Sequence, residues 1–276
     1  MLSEAIHSFA DTGNELLLLW GLHRGAKEPD AAHPFGYGME VYFWSFVVAL
    51  LLFASGGAVS IYEGVIRLYH PEPISDAWIN YCVIAAAMVF ESISFTVALK
   101  EFRQRNAGAP FFASLIRSKD PSLFIVVLED SAALIGLALA ATGVAGTQLG
   151  WLYADGTAAI LIGVMLVVVA AFLARETRSL LVGEAAPTRI IRQIESIMRG
   201  DERVESVAGV LSLQLGPGEI LIAIRLRLAE GLSESEFRSF FAVAVDRIRR
   251  VDSKILHVLF APEETEKVPA ATPVGA

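Results

Sequence analysis

Four long apolar stretches, at about residues 41–62, 78–99, 123–145 and 153–174, constrain this chain more than anything else in it. Each is long enough to cross about 30 Å of hydrocarbon as a helix, a task that takes about 20 residues. In lipid a spanning segment must satisfy its own backbone N–H and C=O groups, so such stretches are expected to be helical. The composition agrees. The 276 residues are 54% hydrophobic and 19% charged, whereas soluble domains carry about a quarter charged residues. A formal net charge of −8 gives no electrostatic case for nucleic acid. The one cysteine, Cys82, sits inside an apolar stretch, which excludes a disulfide framework and a thiolate metal cluster.

A fifth stretch, 2–22, has the right length but is polar in its first half. On a helix Glu4, Asp11 and Glu15 fall within about 20° of one line, and His7 and Asn14 lie about 60–80° to one side. His7 and Asp11 form an i, i+4 pair, so imidazole and carboxylate project together and could grip one cation. Each such group costs about 2.5–3.5 kcal/mol at the centre of a membrane helix, so a row of them requires a reason. The competing reading is a surface helix with a solvated polar face. Loop charge discriminates between the two. Arg24 and Lys27 follow this stretch; Lys100, Arg103, Arg105, Arg117 and Lys119 lie between the third and fourth; Arg175 and Arg178 follow the last. The other two loops hold only Arg67. These basic loops alternate across a membrane only if 2–22 also spans it. The expectation is an all-α transmembrane bundle of five spans over residues 1–182. Its basic loops and the C-terminal region would be cytoplasmic, in a bacterial inner membrane.

Residues 187–262 read as a small soluble α+β domain of order α-β-β-α-β. Ile190, Ile191, Ile194 and Ile197 mark an amphipathic helix. Residues 204–215 and 220–228 read as strands joined by Gly216-Pro217-Gly218-Glu219. Ser233 and Glu236 match a capping box opening a helix to about Arg250, and 254–260 reads as a last strand. Residues 263–276 read as a disordered tail.

The groups able to carry chemistry lie mostly in the apolar stretches. Glu129 and Asp130 are adjacent acids about 100° apart on a helix, so one can serve a site while the other meets a neighbouring helix or a water path. Simple neutralisation by basic groups is the alternative. Glu91 is a third intramembrane acid: a proton carrier, a carboxylate behind the direct ligands, or a protonated helix contact. Asp155, beside Gly156, reads as a helix-start acid favoured by the dipole. His23, His33, His70 and His257 are scattered and read as polar surface. His7, Asp11 and Asp130 together offer a nitrogen–oxygen set suited to zinc, or a harder one suited to manganese or iron. Protons compete with metal for these groups, which is the chemical basis for exchanging a cation against a proton gradient.

His7-Ser8-x-x-Asp11-x-x-Asn14 resembles the second transmembrane helix of the cation diffusion facilitator family. His33-Pro-Phe-Gly-Tyr-Gly38 with Glu40 is similar to that family's link into its third helix, and Glu63-Gly-Val-Ile-Arg67-Leu-x-x-Pro71-Glu-Pro73 to the exit of that helix. Asp120-Pro121, Glu129-Asp130 and Ala154-Asp155-Gly156 resemble its fifth and sixth helices. The resemblance implies a secondary transporter, not an enzyme. It would export divalent cations, zinc first, from the cytoplasm by proton antiport. It would work as a homodimer through the C-terminal domain, with the transported cation in place of any resident cofactor. Carried over by position, the transport site is His7, Asp11 and Asp130. Val126 stands where the family pattern has a second histidine, so Glu129, Asn14 and Glu91 become further candidate ligands. That departure, with Leu215-Gly-Pro-Gly-Glu-Ile-Leu221, resembles the divergent branch containing a mitochondrial zinc transporter. It raises the standing of iron, manganese or cobalt. A non-transporting partner or regulatory subunit is the alternative function. An intramembrane metalloenzyme fits less well, because His7-x-x-x-Asp11 is not the His-Glu-x-x-His spacing of zinc hydrolases. The family has six spans, and Met1-Leu2 resembles an internal position of its pattern, so the chain is expected to be truncated, by a misassigned start or a cut boundary, with a further span upstream.

Overall fold

Residues 2–71, 77–105 and 120–263 are described by the computed structural model, and side chains on the first helix are described from Thr12 onward. Arg117, Lys119, Glu72 and Pro73 lie outside the described residues, as does the tail from 264 onward. The chain divides into two compact units, Met1–Val182 and Gly183–Ala276.

The first unit is a helical bundle. Its elements are α1 (Leu2–Gly25), α2 (Met39–Leu51), a π-helical segment (Leu52–Ala58), α3 (Val59–Tyr69), α4 (Ala77–Arg105), α5 (Pro121–Gln148) and α6 (Ala154–Gly183). Helix α2, the π segment and α3 form one continuous rod. Among the described residues four stretches are long and apolar enough to cross a membrane: Met39–Tyr69, Trp78–Gln104, Phe124–Gln148 and the one beginning at Ala154. They extend beyond the apolar runs because polar ends such as Lys100–Gln104 continue the same helices. Helix α1 has 24 residues, about 36 Å at 1.5 Å per residue, and its acids keep its hydropathy low. It packs along α2, while α4 packs along α5. Pro121 opens α5 at a position where its missing N–H has no helical partner to lose. Gly150, at φ 93°, makes the left-handed turn that sends the chain back into α6.

Tyr42, Val48, Phe102, Phe124, Ile125 and Leu173 fill the interior of this bundle. Its outer surface is also apolar: Ile93, Val97 and Val168 are all exposed, as suits a lipid-facing wall. The α3 and α6 backbones meet through glycines. A Cβ at Gly163 would stand 2.8 Å from the Gly57 carbonyl oxygen, and one at Gly64 would stand 2.8 Å from the Gly156 carbonyl oxygen. Both glycine pairs are spaced seven residues apart, so each pair repeats on one helix face. Small residues at membrane helix contacts allow such close approach.

The second unit contains α7 (Thr188–Arg199), β1 (Val204–Gly216), β2 (Glu219–Leu228), α8 (Glu234–Arg249) and β3 (Ile255–Pro262). The sheet order is β1-β2-β3. β1 and β2 pair antiparallel across the Pro217-Gly218 turn, and β3 joins β2 in parallel after the α8 crossover. Ile220, Ile222, Ile224 and Leu226 turn one face of β2 into the core, against Ile190, Ile194 and Met198 of α7 and Phe240, Ala244 and Ile248 of α8. This is the α-β-β-α-β order that the period-two and helical patterns predict.

Ser233 and Glu236 close the capping box, with the Glu236 N–H donating to Ser233 Oγ at 3.3 Å and the Ser233 N–H donating to Glu236 at 2.9 Å. Ser233→Ala is expected to lower the stability of this unit by about 1 kcal/mol, read by denaturant unfolding. Asp201 accepts from the Arg203 guanidinium at 2.8 and 2.7 Å, and Arg247 approaches at 3.4 Å. The Arg203 guanidinium holds the Asp201 carboxyl below the usual carboxylate range. A depressed folded-state pKa stabilises fully above the unfolded value of about 3.9 and is lost as pH falls through the folded one. Asp201→Asn is therefore expected to lower the melting temperature at neutral pH and to converge with the parent in acid. Equal melting temperatures at neutral pH would contradict it.

Candidate functional site

Inside the helical unit lies a cavity of about 210 Å³ lined by Glu15 from α1, Glu91 and Ser94 from α4, and Val126, Glu129 and Asp130 from α5. Leu52, Phe90, Ala133 and Leu166 complete its wall. Helix periodicity explains the gathering. Val126 and Asp130 stand four apart on α5, and Glu91 and Ser94 stand three apart on α4, so each pair shares a face. Glu15 sits at the exposed rim, while Asp130 is buried.

Hydrogen bonds from neutral groups fix the two adjacent acids of α5. Asn14, itself buried, donates its amide N–H to Glu129 Oε1 at 3.0 Å, tying α1 to α5. Ser94 donates its hydroxyl to Asp130 Oδ2 at 2.8 Å, tying α4 to α5. The two carboxylates diverge by about 100° around the helix, yet both line the same cavity. No Lys or Arg stands among the described residues of the wall. Carboxylates gathered on one cavity wall repel one another when ionised, and protons or a cation relieve that repulsion.

Among the described residues no three His, Cys, Asp or Glu side chains converge closely enough to hold a metal ion. His7 and Asp11 lie on α1 two turns and one turn before Asn14, and their side chains are outside the described ones. Glu91, Glu129 and Asp130 line the same cavity without closing into a metal-binding cluster, and Asn14 is bonded to Glu129. Two wall residues lacked a role in the sequence reading. Glu15 shows itself there as the continuation of the Glu4 and Asp11 line. Ser94 gave only the weak signal of a polar residue one turn from Glu91.

The remaining sequence candidates have structural partners elsewhere. Asp155 opens α6 and accepts from Arg67 at 2.6 Å, with Glu63 3.4 Å from the same guanidinium. Glu40 accepts from Arg24 at 3.0 Å and from the Trp44 indole at 2.9 Å, pinning α2 to the end of α1. In the intervening loop Asp30 accepts from the Tyr37 hydroxyl at 2.7 Å and from the backbone N–H groups of Ala32 and His33. The Tyr37 hydroxyl holds the Asp30 carboxyl well below its ordinary range. His33 stacks on Tyr37 with ring centroids 4.1 Å apart. Cys82 is exposed on α4.

A bundle of membrane-length helices enclosing an acidic chamber defines a polytopic membrane protein with an intramembrane polar site. The cation efflux transmembrane domain matches residues 1–182, and the chain belongs to the cation efflux family. It is 33% identical over 223 residues to the human proton-coupled zinc antiporter SLC30A9, mitochondrial, covering 80% of this chain and 39% of that protein. It is 32% identical over 221 residues to metal tolerance protein C4 of Arabidopsis thaliana, covering 79% of this chain and 48% of that one. The manganese efflux system protein MneP of Bacillus subtilis is 22% identical over 266 residues, covering 93% of this chain and 84% of that one. The chain spans about two-fifths of the length of the zinc antiporter.

Proposed function

We propose that this chain is a proton-coupled transporter of divalent cations, with zinc as the first substrate, moving them out of the cytoplasm. The observation that carries the reading is the acidic cavity between α1, α4 and α5, whose wall includes Glu91, Glu129 and Asp130. The family match and the name of the zinc antiporter relative support it. His7, Asp11 and Asp130 are the proposed ligands, with Glu129, Asn14 and Glu91 completing the set where Val126 offers no donor. A cation entering the chamber displaces protons from these groups, and protons returning from the far side favour its release. We take α1 as a fifth span, the basic loops and second unit as cytoplasmic, and the membrane as a bacterial inner membrane. The second unit serves as a homodimerisation module.

One observation favours a harder cation over zinc. Val126 places an alkyl group in the wall, and the acids around it are all carboxylates, which suit manganese or iron better than an imidazole-rich site does. Metal-specific flux across reconstituted vesicles, with and without a pH gradient, tests both readings. Zinc flux accelerated by an opposing proton gradient is expected. Manganese or iron flux exceeding zinc flux would select the harder-cation reading. No flux of any of these cations would overturn the proposal in favour of a non-transporting partner or regulatory subunit.

A further inference from the structure

Helix α4 carries three hydroxyl residues on alternate positions, Ser92, Ser94 and Thr96. Ser92 donates to the Met88 carbonyl at 2.6 Å, and Thr96 donates to the Ser92 carbonyl. Both thereby satisfy themselves on their own helix, the usual recourse of a hydroxyl in an apolar setting. Ser94 instead reaches across to α5 and donates to Asp130 Oδ2 at 2.8 Å. A carboxylate is the stronger acceptor, because a hydrogen bond to a charged group is about twice as strong as a neutral one. The hydroxyl is uncharged, so it fixes the rotation of Asp130 without neutralising it. An arginine or lysine in that place would hold the carboxylate equally well and cancel the attraction for a cation.

We propose that Ser94 is a positioning residue for the transported cation, acting through Asp130 and setting affinity rather than maximal rate. The inference rests on the cation-transport reading of the same cavity. Polar groups behind metal ligands typically change affinity by about 10–100-fold when removed. Ser94→Ala is expected to raise the half-saturating cation concentration by at least about 10-fold in vesicles, with the saturated rate within about twofold of the parent. Ser94→Thr keeps the donor and is expected to restore parental affinity. Ser94→Val matches the threonine variant in shape but has no donor, so it should lose affinity even if the alanine variant fails to fold. Ser92→Ala removes a hydroxyl bonded within α4 and is expected to leave affinity unchanged.

The experiment measures zinc and manganese flux for the full chain and these four variants, alongside equilibrium binding of each metal in detergent. Parental affinity in folded Ser94→Val or in folded Ser94→Ala overturns the inference while the transport reading stands. Equal losses in Ser92→Ala and Ser94→Ala also overturn it, because the effect would then be general to α4. Absence of flux and binding in the parent overturns the transport reading and this inference together.

Discussion

Replacing Asp130 by alanine is expected to abolish cation flux in reconstituted vesicles while leaving the chain folded. Asp130 is 7% exposed, lines the cavity and is held by Ser94, so it is an ionisable group deep in an apolar helix. Its removal relieves a desolvation cost of about 2.5–3.5 kcal/mol on insertion scales. The variant should therefore elute and melt at least as well as the parent. Loss of activity with no loss of stability is the signature of a group retained for function. The flux should fall by more than about 100-fold, beyond the range typical of groups that merely support a ligand. Asp130→Asn separates charge from shape, because an amide oxygen can still accept from Ser94. It should be nearly as inactive as the alanine variant. Full zinc and manganese flux in either variant would remove Asp130 from the site.

The largest structural effect is expected at the glycine contact between α3 and α6. In Gly163→Val the new Cβ would meet Ile61 Cγ1 at 2.6 Å, the Gly57 oxygen at 2.8 Å and the Ile61 nitrogen at 2.8 Å. Two of these three atoms belong to backbone, which cannot rotate aside as a side-chain tip can. Overpacking costs about 1–3 kcal/mol when side chains can adjust, and more when they cannot. Gly163→Ala should lower the melting temperature in detergent markedly, and Gly163→Val should yield little folded protein. Gly13, which has nothing within 4 Å of an added Cβ, provides the contrast. Gly13→Ala should be neutral or stabilising by about 0.5–1 kcal/mol, the usual helix gain. Equal behaviour of Gly13→Ala and Gly163→Ala would show that the close approach is not a constraint.

The second unit was legible because its signals are local. Alternation in Ile220–Leu228, the Pro217-Gly218 turn and the Ser233/Glu236 cap each specify an element without knowledge of its neighbours. The membrane helices were legible from length and apolarity, but their faces were not. An exposed residue such as Ile93 and a buried one such as Phe124 are both apolar, so hydropathy carries no inside–outside contrast. That is why the acids could be singled out while their arrangement could not. Spacing on α5 separates Glu129 from Asp130, and their donors Asn14 and Ser94 come from two other helices, which sequence spacing does not show. Glu15 was visible on the acidic line of α1, but its place at the rim depends on how α1 lies beside α5.

The π-helical segment Leu52–Ala58 was not legible at all, since its residues read as ordinary apolar helix. Its consequence concerns angular phase. One extra residue in a turn advances everything downstream by about 100° around the helix axis. The rod can thus present one set of side chains to α1 along α2 and a different meridian to α6 from Gly56 onward. Excising a single residue there would leave length and hydropathy almost untouched, yet would swing Gly64 away from Gly156. The segment works like a fixed twist in a key, letting the two halves of one straight helix fit two different wards of the same lock.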